Sequence, residues 1–158
     1  MRVATFAAIA ALAAAATPAS AQQQAVAGWK VGPIGGGCAM LRPLGAESGP
    51  AVMIQLSDKQ ESRVIFVLPG AKVEAGYAYT AIVGWDDKIY PVHMVAAGDP
   101  ASPGLLLEAP DDRLLKAAAN TDTLAVMALG VTETIAFPLT GAKEAAAALR
   151  ACVATPRK

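Results

Sequence analysis

The chain has 158 residues, with Lys+Arg 13 against Asp+Glu 13; formal charge is zero, 16% of residues are charged and 54% are hydrophobic. That balance excludes a nucleic-acid binder of the usual basic kind, because no stripe of Lys or Arg offers counterion release from phosphates. It also excludes a disordered tail, which needs low hydrophobicity and high net charge, and no collagen or coiled-coil period is present.

The first segment reads as an address. Met1-Arg2 is a short positive start, Val3 to Ala16 is almost continuously apolar, and Ala19-x-Ala21 supplies the small residues that precede a secretory cut. A signal peptide over residues 1–21, cleaved between Ala21 and Gln22, is expected. The competing membrane anchor is too short: fourteen apolar residues make about 21 Å of helix against a hydrocarbon core of about 30 Å. The remainder, residues 22–158, is expected to be one exported domain with no stable membrane insertion, periplasmic or else secreted. Export changes the reading of Cys38 and Cys152, the only two cysteines. In an oxidising compartment an even count favours a disulfide, so Cys38–Cys152 is expected, with two separate buried thiols or an intermolecular pair as the alternatives.

Along the mature chain, Gln22–Gly28 is a polar lead-in and Trp29-Lys30-Val31 begins a strand. Gly32–Gly37 is a turn-rich break before a strand at Cys38–Leu41. Ala51–Ser57 and Arg63–Leu68 are short, β-branched and aromatic, and are joined by a turn at Asp58-Lys59-Gln60, which makes them a hairpin. A second hairpin runs from Tyr77 to Ala96. With Asp86-Asp87 as a two-residue tip, Val83 faces Tyr90, Ala81 faces Val92 and Thr80 faces His93. Tyr79, Ala81, Val83 and Trp85 then share an apolar face with Tyr90, Val92 and Met94. Pro91 has no N–H, so its strand belongs at an edge or a bulge. Leu105–Glu108 is a short strand, Pro110-Asp111-Asp112 opens a short helix that stops near Asn120, and Thr123–Leu129 and Thr132–Leu139 are strands. The last element is a helix from Ala142 to Val153 with Ala142, Ala145, Ala146, Leu149, Cys152 and Val153 on one stripe. That phase turns Cys152 inward, where it can meet Cys38 on an early strand.

Few residues point to chemistry. His93 is the only histidine; Ser102 and Asp99 could complete a hydrolytic trio with it, but no nucleophile elbow and no oxyanion donor accompany them, so a cross-strand pair with Thr80 is favoured. Gly35-Gly36-Gly37 lacks the Lys-Ser/Thr and the helix of a phosphate loop. Asp86-Asp87 and Asp111-Asp112 read as a hairpin tip and a helix start rather than a calcium loop, which spaces its oxygens over about twelve residues. Two thiols and one histidine do not build a zinc site. No metal, cofactor or catalytic residue is therefore assigned. Trp29, Tyr77, Tyr79, Trp85 and Tyr90 are expected mainly in the core, with Trp85 beside the tip as the exposed exception.

The early Trp29 strand, Cys38 on the next strand, and Phe137-Pro138-Leu139-Thr140-Gly141 leading into Ala145, Ala146, Leu149 and Cys152 resemble small exported bacterial proteins of the invasion-associated locus B family. The resemblance implies a β-rich exported domain without known catalysis. The expected fold is mainly β, a β-rich α+β arrangement: an antiparallel sheet or sandwich of about eight short strands with a short helix and a C-terminal helix. The expected function is a non-enzymatic binding domain for an unknown protein or envelope component, with no nucleic-acid partner. Trp85, Asp86, Asp87, Tyr90 and His93 are the candidate partner-binding residues. An inhibitor of an envelope or foreign hydrolase, presenting Asp86-Asp87 or Pro100–Pro103, is the alternative, and a small hydrolase using His93 is a third reading.

Overall fold

The computed structural model describes residues 23–155 apart from 47 and 99, so the expected signal peptide and Asp99 lie outside the described residues. Ten strands and two helices follow one another as β1 (Gln24–Val26), β2 (Trp29–Ile34), β3 (Gly37–Pro43), β4 (Ala51–Ser57), β5 (Ser62–Val67), β6 (Ala78–Trp85), β7 (Lys88–Ala97), β8 (Gly104–Ala109), α1 (Arg113–Ala119), β9 (Thr123–Ala128), β10 (Thr132–Pro138) and α2 (Ala142–Ala154). Against an expectation of about eight strands there are ten; the lead-in read as irregular pairs with β2 as β1, Val26 opposite Trp29.

All ten strands lie in one sheet, ordered β1-β2-β3-β4-β5-β8-β7-β6-β9-β10, and its strand pairs are antiparallel. The sheet is strongly curled. Phe66 on β5 and Phe137 on β10 have four strands between them in this order, yet their ring centroids are 5.8 Å apart. In a flat sheet that separation would be about 24 Å at the usual strand spacing. Curling brings the inner faces of the two halves together and gives one core in place of the two-sheet sandwich weighed above. Val52, Ile54, Leu56, Val64, Phe66, Leu105, Val83, Met94, Leu124 and Phe137 are all buried in it.

The helices lie on this inner face. Ser62, the only buried polar side chain among the described residues, sets the start of α1: its hydroxyl donates to the Asp111 carbonyl and accepts from Leu114 N–H at 3.2 Å. Leu115 and Ala118 are buried and Asn120 caps the end, as the spacing predicts, while Leu114 is half-buried. In α2 the expected stripe packs inward, with Ala142, Ala145, Ala146 and Leu149 buried and Cys152 and Val153 half-buried.

Both ends of α2 are fastened. At its start, Trp29 Nε1 donates to the Thr140 carbonyl at 3.1 Å, Arg42 donates to the same oxygen, and the guanidinium lies 5.9 Å from the indole centroid. Gly141, in the left-handed region at φ +78°, passes so close to Ala27 that a Cβ would stand 2.3 Å from its carbonyl oxygen. The Leu139-Thr140-Gly141 turn thus has a steric reason for its glycine. At the other end Cys38 and Cys152 are disulfide-bonded across a sequence separation of 114.

Closing a loop of that length restricts the unfolded chain by up to about 4–5 kcal/mol on the chain-entropy account. Replacing both cysteines by alanine is therefore expected to remove a large part of the unfolding free energy and to lower the urea midpoint accordingly. An unchanged midpoint in denaturation curves of the two proteins would show that the tether adds nothing.

Candidate functional site

The second hairpin adopts the register set by its two-residue tip: Thr80 faces His93, Ala81 faces Val92 and Val83 faces Tyr90, with Trp85 opposite Lys88. Asp86 takes the left-handed conformation at φ +53°. Its backbone N–H donates to the Thr123 carbonyl at 3.0 Å, and its carboxylate accepts from the N–H groups of Asp122 and Thr123, both at 2.9 Å. The tip is docked onto the loop between α1 and β9, and Trp85, just before it, lies between Lys88 of β7 and Leu124 of β9. Trp85 is 8% exposed, so the expectation that it would stand clear of the core is corrected.

On its other side β7 meets β8 over three residue pairs only, Val95–Leu106, Ala96–Leu105 and Ala97–Gly104. Beyond these the two strands part. β8 stays with β5, pairing as far as Ala109 with Ser62, and turns into α1; β7 stays with β6 as far as the tip. Pro91 lies on this unpaired stretch, the edge position that its missing N–H demands.

The parting strands and α1 enclose an open cleft of about 520 Å³, within the usual size range of ligand pockets. Val83, Trp85, Tyr90 and Val92 form one wall, Leu107 and Ala109 the other, and Leu114 and Ala117 of α1 the base, with Pro91, Glu108, Pro110 and Arg113 at the rim. The rim charges are matched locally. Arg63 Nε meets Glu108 Oε1 at 2.7 Å, and Arg113 grips Asp111 with Nε and Nη2, each at 2.8 Å. The Arg113 side chain, and then its backbone N–H, lower the Asp111 pKa from 3.8 to about 2. Asp112 is lowered as well, by its hydrogen bond to Lys116 and more weakly by Arg150.

Of the five candidate residues, Trp85 and Tyr90 line the cleft, and Tyr90 is 47% exposed there. Asp86 is occupied in holding the tip, and Asp87 is exposed beside it. His93 is exposed on the outer side of β7, opposite Thr80 and turned away from the cleft. The five do not form one surface. The far wall and base were missed because they come from β8 and α1, whose approach to β7 is non-local; Pro91 was the one local sign of an open edge. Gly35-Gly36-Gly37 forms the tight connection from β2 to β3: Gly36 has φ +76°, and a Cβ on Gly37 would lie 2.2 Å from the Leu56 carbonyl.

No protein-family profile matches the chain, and no curated protein matches it in sequence. Among solved structures, the fold is similar to the crystal structure of invasion associated protein b from Bartonella henselae, with a TM-score of 0.62 and 16% identity over 82% of this chain and 96% of that one. At that identity the likeness is one of fold, the β-rich α+β class expected above.

Asp111 is expected to titrate near pH 2 in NMR spectra, and Arg113→Met to return it toward 3.8. Because the folded value is the lower one, the contribution of this contact is present at neutral pH and fades as pH falls from about 4 toward 2. An Asp111 titration unmoved by Arg113→Met would remove the guanidinium as its cause.

Proposed function

We propose that the chain is a non-enzymatic, exported binding domain that recognises a protein or envelope component through the cleft between β7, β8 and α1. The observation that carries this reading is the cleft itself: apolar walls, with Tyr90 exposed and Val92, Leu107 and Leu114 half-buried, open to solvent on an otherwise packed inner face. Soluble proteins normally bury such surface, and where they leave it concave and accessible it commonly serves recognition. Export is supported by the leader-like start of the sequence and by the Cys38–Cys152 bond, which fits a chain folded in an oxidising compartment such as the periplasm. Among the described residues no helix is long and apolar enough to cross a membrane. The inhibitor reading finds less support, because Asp86 spends its carboxylate on the protein's own backbone.

A photo-crosslinking amino acid placed at Tyr90 in the producing cell tests the reading. A discrete adduct is expected from position 90 that is absent from a probe at Lys59, on the turn between β4 and β5, and that disappears when Ala117→Trp fills the base of the cleft. Adducts equal from both positions, or unaffected by Ala117→Trp, would overturn it.

A further inference from the structure

The edge of β7 defines what kind of partner suits this cleft. Ala96 N–H donates to the Tyr77 carbonyl at 2.8 Å, and Gly76 N–H donates to the Ala96 carbonyl at 3.2 Å. The backbone groups of Ala96, and by strand alternation those of Met94, Val92 and Tyr90, therefore point to β6. Those of Ile89, Pro91, His93 and Val95 point the other way. Val95 uses its groups on β8, but Ile89, Pro91 and His93 have no strand beside them among the described residues. This edge offers two N–H donors and three carbonyl acceptors at strand spacing, immediately beside the apolar cleft.

We propose that an extended segment of a partner polypeptide adds to β7 as a further strand, pairing with Ile89, Pro91 and His93 and placing alternate apolar side chains in the cleft. This rests on the cleft being the recognition site and names the form of its ligand. The rim charges decide the ligand's character: with Glu108 held by Arg63 and Arg113 held by Asp111, the complementary segment is uncharged where it enters. Backbone pairing supplies affinity and the alternate side chains supply selectivity, the usual division of labour when a strand is added to a sheet edge. Pro91 removes the middle donor, a common device against indiscriminate pairing of edges.

The test uses the whole oxidised protein and peptides selected against it from a display library of random dodecapeptides. Ile89→Pro and His93→Pro each delete one outward N–H and leave the β6 ladder intact, as Pro91 already does. Each is expected to weaken the selected peptides about three- to tenfold, the worth of one hydrogen bond, with circular dichroism unchanged. N-methylation along the peptide, which perturbs only the ligand, is expected to weaken binding at every second residue. If Ala117→Trp abolishes binding while the proline variants and N-methylation have no periodic effect, the cleft stands as the site and the added strand is wrong. If none of the changes matters, both readings fail. Self-association of the protein that is lost in Ile89→Pro would make a second copy the occupant and overturn the partner segment, as would a failure to select any peptide that Ala117→Trp rejects.

Discussion

β7 and β8 share three residue pairs and then separate, and the proposed function depends on what keeps them apart. Two polar anchors do so. Ser62 on β5 holds the Asp111 carbonyl and the Leu114 N–H, so the chain leaving β8 must bend into α1 instead of continuing alongside β7. Asp86 binds the backbone of Asp122 and Thr123, so the β6–β7 tip is fixed to the loop that follows α1. A buried hydroxyl or a carboxylate with several backbone partners costs free energy when those partners are lost. Each lip of the cleft is held by such a set of bonds.

The rest of the molecule holds α1 in place as the base of the cleft. α2 is covalently tied to β3 and pinned at its start by Trp29 and Arg42, and it packs directly on α1, where Arg150 reaches Asp112 at 3.4 Å. Exposed ion pairs of that kind contribute little on their own. The buried face of α2 contributes more: Ala145 and Ala146 are small enough to let the helix lie close on the curled sheet, and Leu149 is fully buried in the core. The disulfide thus acts at a distance from the cleft, by holding the helix against which α1 is wedged.

Much of this was legible from the residues. The tip Asp86-Asp87 sets the hairpin register by itself, because a two-residue loop admits one alignment. The stripe of α2 carried Cys152 toward Cys38, and Pro91 marked an edge. These are local signals. The order β5-β8-β7-β6-β9 is not local: β8 crosses back between two hairpins, and only that crossing brings Leu107 and Ala109 opposite Tyr90 and Val92. Trp85 was misjudged for the same reason, since the loop at Asp122 and Thr123 that takes the tip lies far along the chain. β1 escaped notice because three residues of mixed character carry no period.

Amide hydrogen exchange along β7 tests most directly whether this edge is open. Tyr90, Val92 and Met94 should be protected by β6, while Ile89 and His93, alternating with them, should exchange at close to the rate of an unstructured chain and slow when a ligand binds. Equal protection at Ile89, Val92 and His93 in the free protein would mean that the edge is already covered, and the account of the cleft would fall with it.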